Sequence, residues 1–152
     1  MKRIAWITIL LIAAFVAESR ISVMGVGLNL TVLFAYWAGL RYGPVQGTLT
    51  GAFVGAAADS VSGGMLGPLM LSKATAGYLA SYLRGGLFIW SPFLGFMAAM
   101  ALTALDGAIA YSCRSVFEPG AAGLGAVARI IFWQSAMNLW AGLLMRPVDE
   151  EG

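Results

Sequence analysis

The sequence predicts an all-α integral membrane protein, a compact bundle of six transmembrane helices. Of its 152 residues, 60% are hydrophobic and only 11% are charged, whereas a soluble domain carries about 25% charged residues. The mean hydropathy is +0.83. Because one membrane span needs about 20 residues, the length allows six spans with short loops. We expect a single polytopic domain over residues 1–152.

Apolar runs define the six helices, and charged residues or glycine–proline turns separate them. They are expected at about residues 4–17, 23–40, 44–59, 68–83, 87–111 and 125–145. The first run is expected to be an uncleaved helix and not a signal peptide, because Phe15 lies where cleavage requires a small residue.

Basic residues predict the orientation of the bundle. A cytoplasmic N-terminus places five basic residues inside and two outside, which is the asymmetry of the positive-inside rule. The inner set is Lys2, Arg3, Arg41, Arg84 and Arg146, and the outer set is Arg20 and Arg114. We therefore expect both termini in the cytoplasm.

The third predicted helix has one face with almost no side chains. Every fourth residue is a glycine, from Gly43 through Gly47 and Gly51 to Gly55, and the series ends at Asp59. Residues four apart lie on one helix face, and small residues at this spacing let helices approach closely in a membrane. We expect this face to pack against a neighbouring helix or a partner.

A polar turn follows the glycine face and forms, with Asp59, an outer-turn motif. Its other members are Ser60, Ser62, Gly63, Gly64 and Gly67. Pro68 then suits the first turn of the next helix, where its missing N–H costs nothing.

Four ionisable residues lie within or at the edges of predicted spans: Asp59, Lys73, Asp106 and Arg129. A charge at the bilayer centre costs about 3 kcal/mol on insertion scales, so each needs a partner or water. All four lie near the outer ends of their helices, which predicts two pairs, Asp59–Lys73 and Asp106–Arg129. We favour a structural role in helix register over transport or catalysis.

Few residues suit catalysis or metal binding. The chain has no histidine, which removes the commonest general base and metal ligand. A nucleophile–base pair of Ser60 or Ser62 with Lys73 is the weaker interpretation, because a lysine paired with a carboxylate keeps its proton. We expect no catalytic residue, metal or cofactor. The net charge of +2 gives no indication of nucleic-acid binding.

The segment 28–83 resembles the core of the rod shape-determining protein MreD family. The matching features are an RYGP turn at 41–44, a glycine-stepped helix ending in DSVSGG at 59–64, Gly67, and Gly-Tyr at 77–78. The rest of the chain matches in size and hydropathy. The chain departs from the family at residues 27–29, where Gly-Leu-Asn replaces a Pro-Asp-like pair.

The resemblance implies a non-catalytic adaptor in the bacterial inner membrane. It would bind MreC through the membrane helix and membrane-proximal segment of that partner. Through MreC it would couple the MreB filament to the peptidoglycan synthases of cell elongation and rod-shape maintenance. Association with further copies of this chain is left open.

The alternative is a small-molecule binding subunit. The MreD fold is similar to that of the vitamin-binding subunits of energy-coupling-factor transporters. Such a subunit would have an outward-facing pocket with polar side chains near the outer helix ends. The candidates are again Asp59, Lys73, Asp106 and Arg129.

Overall fold

The computed structural model describes residues 13–14, 16, 18, 22–23, 26–27, 29–63, 65–83, 91–117, 120 and 123–144. Five α-helices have their bounds in these ranges: α1 (Thr31–Tyr42), α2 (Pro44–Ser62), α3 (Pro68–Ala80), α4 (Pro92–Phe117) and α5 (Leu124–Leu144). A 3-10 turn, Ser81–Leu83, continues α3. Residues 13, 14, 16 and 18 are also helical. Two short strands, β1 (Ser22–Val23) and β2 (Val26–Gly27), pair in antiparallel fashion.

Helices at five of the six predicted positions confirm the helical class. The third, fourth and sixth predicted helices agree with α2, α3 and α5 to within three residues at each end. α2 and α3 each begin with a proline, where the fixed φ suits the first turn. Most of the first predicted helix, 4–17, lies outside the described residues, as do Gly64 and both chain ends.

The fifth predicted helix is displaced along the chain. We predicted 87–111, whereas α4 begins at Pro92 and continues to Phe117. Pro92 has no N–H to donate to the preceding turn, so the helix begins there instead of kinking. The residues after Tyr111, predicted to be loop, add a further helical turn and a half.

The second predicted helix, 23–40, is wrong at its N-terminal end, where the described residues 23, 26, 27, 29 and 30 are not helical. Its helical part is α1, which begins only at Thr31, and residues 22–27 contain the two strands. Gly25 and Gly27 weaken a helix, and Val23 and Val26 favour extended backbone. The side chain of Asn29 binds Asp106 and Lys73, and its backbone carbonyl accepts from Asn138. These tertiary contacts hold residue 29 out of the helix.

The glycine face of α2 packs against α3 of the same chain. Of the two predicted arrangements, a neighbouring helix or a partner, the structure shows the neighbouring helix. A methyl group on Gly51 would overlap the carbonyl of Lys73, and one on Gly55 would overlap that of Leu69. Gly47 meets Gly77 of α3, and Gly39 of α1 reaches the same carbonyl of Gly77. Three helices therefore meet backbone to backbone at Gly39, Gly47 and Gly77.

Two parts of the prediction for this face need correction. Gly43 is not on the helix face: it ends α1 with φ 93° and donates its N–H to the carbonyl of Gly39 at 3.1 Å. The other three glycines are covered by α3, so they do not form a partner interface. The opposite face of α2 is exposed, with Val45, Leu49 and Phe53 between 64% and 71% accessible.

Within the described ranges, one helix is both long and apolar enough to cross a membrane, namely α4 with 26 residues. α2 has 19 residues and α5 has 21. Small and polar residues lower the mean hydropathy of α2, and Arg129, Gln134 and Asn138 lower that of α5. Six membrane-crossing helices are therefore not confirmed by length and composition.

The contact between α2 and α3 predicts an intolerance to size at Gly51. Gly51→Leu should lower the free energy of unfolding by at least about 2 kcal/mol more than Phe53→Leu, because the added side chain meets backbone that cannot move aside. Thermal unfolding of the purified variants measures this difference. Equal stability of the two leucine variants would contradict the packing described here.

Candidate functional site

Asp59 binds the N-terminus of α3 from the end of α2. Its Oδ2 accepts the N–H groups of Gly67 at 2.9 Å and Met70 at 3.0 Å, and its Oδ1 accepts that of Leu69 at 3.1 Å. The first N–H groups of a helix have no partner within the helix, and the helix dipole favours an anion there. The fully buried carboxylate therefore caps α3.

The remainder of the outer-turn motif shapes this connection. Gly63 ends α2 in the left-handed region with φ 66°, and Gly67 has φ 129°. Both hydroxyls of the motif bond within α2: Ser60 Oγ donates to the carbonyl of Ala56 and Ser62 Oγ to that of Asp59, each at 2.8 Å. The two serines are exposed, so the motif is primarily a turn and a helix cap.

Lys73 pairs with Asp106 and not with Asp59. Its Nζ lies 3.1 Å from Oδ2 of Asp106, and the two side chains are 2% and 1% exposed. The predicted pair Asp59–Lys73 is therefore wrong, because the carboxylate of Asp59 is directed to the backbone of α3. The ion pair instead joins α3 to α4 in the interior.

Two neutral side chains complete the ion pair. Ser72 Oγ donates to Oδ1 of Asp106 at 2.7 Å, and Asn29 Nδ2 donates to Oδ2 at 2.7 Å. Asn29 Oδ1 in turn accepts from Lys73 Nζ at 3.0 Å. Asp106 thus accepts three hydrogen bonds, which offset the cost of burying its charge.

Asn138 fixes the backbone around Asn29. Its Nδ2 donates to the carbonyl of Asn29 at 2.6 Å and lies 3.3 Å from Oγ1 of Thr103. This buried amide therefore links α5 to α4 and to the non-helical residues before α1. The side chains on which four elements converge are Asn29, Ser72, Lys73, Asp106 and Asn138, and we call this set the polar core.

Glu18 approaches the polar core from the residues before β1. Its Oε1 accepts the backbone N–H and the hydroxyl of Thr31, both at 3.0 Å, at the first turn of α1. Burial raises the pKa of the Glu18 carboxyl, and the hydrogen bonds from Thr31 partly offset this rise. Glu18 therefore caps α1 much as Asp59 caps α3.

Arg129 does not join the polar core. It is exposed on α5, and Asp106 already binds Lys73 on α3. The predicted pair Asp106–Arg129 is therefore wrong. Within the described residues, Lys73–Asp106 is the one ion pair between side chains.

A cavity of about 450 Å³ lies beside the polar core. Glu18, Lys73, Asp106 and Arg114 supply its charged lining, and apolar residues of α3, α4 and α5 form much of the remaining wall. Of the four residues that we proposed for a pocket, Lys73 and Asp106 line it, whereas Asp59 and Arg129 do not. Arg114 was expected only as a basic loop residue.

Sequence reasoning missed Asn29, Ser72 and Glu18 as members of one site. Ser72 could have been considered from sequence because it precedes Lys73. Whether its hydroxyl reaches Asp106 depends on how α3 packs against α4. Asn29 lies where the chain departs from the MreD pattern, which was the one signal that this position is particular. No sequence feature joins Glu18 to residues 29–31.

Comparison of the chain with protein-family models, with curated proteins and with solved structures finds no match.

The cap at α3 predicts an asymmetry between neighbouring residues. Asp59→Ala should lower the free energy of unfolding by about 1–3 kcal/mol, because three backbone N–H groups lose their buried carboxylate acceptor. Ser60→Ala, which removes an exposed hydroxyl bonded within its own helix, should change it by less than about 0.5 kcal/mol. Urea unfolding of both variants measures this difference. A loss of stability for Asp59→Ala as small as that for Ser60→Ala would contradict the cap.

The ion pair predicts energetic coupling between α3 and α4. Lys73→Met and Asp106→Asn should each cost about 3–5 kcal/mol, because each leaves a buried charge without its partner. The double variant should recover about 1–3 kcal/mol of the summed loss.

The control for this cycle combines Lys73→Met with Asp59→Asn. These two changes should add to within about 0.5 kcal/mol, because the side chains share no partner. Coupling of Lys73 to Asp59 as strong as that to Asp106 would mean that the polar core is wrongly assigned.

Proposed function

We propose that the chain is a multi-pass protein of the bacterial inner membrane with both termini in the cytoplasm. The proposal is supported by the distribution of polar and apolar side chains, which is the reverse of that in a water-soluble protein: charged groups are buried and large apolar groups are exposed. The interior holds Lys73, Asp106 and Asn138, whereas Phe53 and Trp140 are 71% and 68% exposed. A protein in water rarely exposes large apolar patches, but a protein surrounded by lipid must expose them.

The helix lengths suit this proposal in two groups. At 1.5 Å per residue, α2, α4 and α5 are about 28, 39 and 31 Å long, against a hydrocarbon core of about 30 Å. α1 and α3, with 12 and 13 residues, are about 18 and 20 Å long and too short to span alone. The N-terminal end of α1 meets non-helical backbone at Asn29, which is covered by protein, as irregular backbone within a membrane must be.

Within the membrane we propose that the protein is a non-catalytic adaptor of the MreD type. It binds a partner with a single transmembrane helix and an extracytoplasmic segment, as MreC has. Through that partner it couples the MreB filament to peptidoglycan synthesis and rod shape. The resemblance of segment 28–83 motivates the assignment, and the exposed face of α2 carries the geometric argument.

This exposed face is suited to a helix partner. Val45, Leu49 and Phe53 recur at intervals of four, and Ser60 continues the same face at the predicted outer end. The glycine contact with α3 holds α2 rigidly from behind, so the face is presented without reorganisation. A partner helix with small residues can pack along it, and its extracytoplasmic segment then meets the outer turn.

The engaged hydroxyls favour an adaptor over an enzyme. Ser60 and Ser62, the two serines considered as nucleophiles with Lys73, donate to backbone carbonyls instead. A serine nucleophile needs its hydroxyl bonded to a general base. The cavity favours a second candidate, the small-molecule binding subunit of an energy-coupling-factor type transporter, because its volume lies within the range of ligand pockets.

Partner capture tests the adaptor. Leu49→Ala with Phe53→Ala should reduce the MreC that co-purifies with the tagged chain by about tenfold, the effect of losing about 1.4 kcal/mol of packing. Phe132→Ala with Trp140→Ala is the matched control, since both side chains are exposed on α5, and it should retain the partner. Equal loss from both faces would contradict the assignment of α2.

Cell shape tests the same proposal without purification. Depletion of the chain should make rod-shaped cells round, and Ser60→Ala with Ser62→Ala should leave the rod shape intact. If these serine changes abolished function while the protein still held its partner in the membrane, the adaptor proposal would be wrong.

A further inference from the structure

The lining of the cavity beside the polar core includes hydrogen-bond donors that have no acceptor within the described part of the chain. Its volume of about 450 Å³ lies within the roughly 300–1,000 Å³ of small-molecule sites. The cavity therefore offers a ligand both room and polar groups. The charge of the ligand follows from which lining groups are already engaged.

The two carboxylates of the lining are engaged by the protein. Asp106 accepts from Ser72, Asn29 and Lys73. Oε1 of Glu18 accepts twice from Thr31. A cation at Oδ2 of Asp106 would compete with Lys73, and one at Oε1 of Glu18 would compete with Thr31.

The two basic groups of the lining retain donors. Lys73 Nζ has three N–H donors, and two of them meet Asn29 and Asp106. Arg114 Nε is buried without a hydrogen-bond partner, and no carboxylate among the described residues forms an ion pair with Arg114. A buried donor without an acceptor costs about 1–3 kcal/mol, which an acceptor on a ligand would recover.

Much of the remaining lining of the cavity is apolar. Leu69 of α3, Ala110 of α4, and Val127 and Ile131 of α5 line it. A small inorganic anion would leave this surface against water. An anionic head on an apolar body satisfies both kinds of lining residue, with its oxygens at the basic groups and its chain along α5.

We propose that this cavity binds an amphipathic anion, with a carboxylate or phosphate head held by Arg114 and Lys73 and an apolar chain packed on α5. The site is separate from the exposed face of α2, and it stands or falls independently of partner binding. The same chemistry is offered by a free fatty carboxylate and by an anionic phospholipid.

The test uses octanoate as the probe and the full-length chain in an uncharged detergent. Equilibrium dialysis of labelled octanoate should show saturable binding, and 1-octanol, which has the same chain without the charge, should bind at least about tenfold more weakly. Arg114→Gln should weaken octanoate binding by about tenfold, because it removes a charge-assisted bond. Circular dichroism and the thermal unfolding midpoint then verify that the variant is folded.

The matched control is Arg129→Gln, which removes the same charge from an exposed position outside the cavity. Its octanoate affinity should equal that of the unchanged chain. Equal weakening by the two arginine variants, equal binding of octanol, or no saturable binding would each overturn the proposal. Since none of these outcomes affects MreC capture, failure here is distinguishable from failure of the adaptor.

Lipid nanodiscs separate the two sources of the anion. If an anionic phospholipid occupies the site, octanoate should bind more weakly in discs of phosphatidylcholine with phosphatidylglycerol than in phosphatidylcholine alone, and Arg114→Gln should abolish that difference. Equal affinity in both discs identifies the free carboxylate as the ligand. Either result supports an amphipathic-anion site.

Discussion

The buried ion pair of Lys73 and Asp106 is the constraint on which the rest of the structure depends. Two charges removed from water are costly unless further hydrogen bonds satisfy them, and here Asn29 and Ser72 supply these bonds. The need for these hydrogen bonds brings α3, α4 and the residues before α1 into contact around the ion pair. Asn138 adds α5 by donating to the carbonyl of Asn29. The irregular backbone at Asn29 follows from these contacts, because a regular helix through residue 29 would not present both its side chain and its carbonyl to these partners.

The cost of burying the Asp59 carboxylate is offset in a different way. Asp59 is as buried as Asp106, yet its charge is balanced by three backbone N–H groups and the dipole of α3 instead of a cation. This solution depends on the close contact of α2 and α3, which the glycines permit. Two carboxylates that look equivalent in sequence therefore hold the fold by unlike means, and only one of them faces the cavity.

The proposed adaptor and ligand site occupy different parts of the bundle. The exposed apolar face of α2 lies opposite the face that packs closely on α3 at Gly47, Gly51 and Gly55. The cavity is bordered by α3, α4 and α5 with Lys73 and Arg114 in its lining. Lys73 belongs both to the polar core and to the cavity wall. An anion bound in the cavity would therefore interact with the same ammonium group that pairs with Asp106 and joins α3 to α4. The proposed ligand site and the contact between α3 and α4 therefore share Lys73, as they share Asn29 and Asp106.

The sequence by itself determined the helical class, the bounds of α2, α3 and α5 to within a few residues, and the close-packing face of the glycines, because hydropathy, proline positions and residue spacing act locally. It also identified Asp59, Lys73 and Asp106 as the buried charges of the interior. Only the tertiary structure decided which charges pair, since depth along a helix does not give rotation about its axis, and it placed Arg129 outside. It alone showed that Asn29, 44 residues before Lys73, belongs to the same site, because contacts at such separation depend on how the helices pack and leave no local pattern.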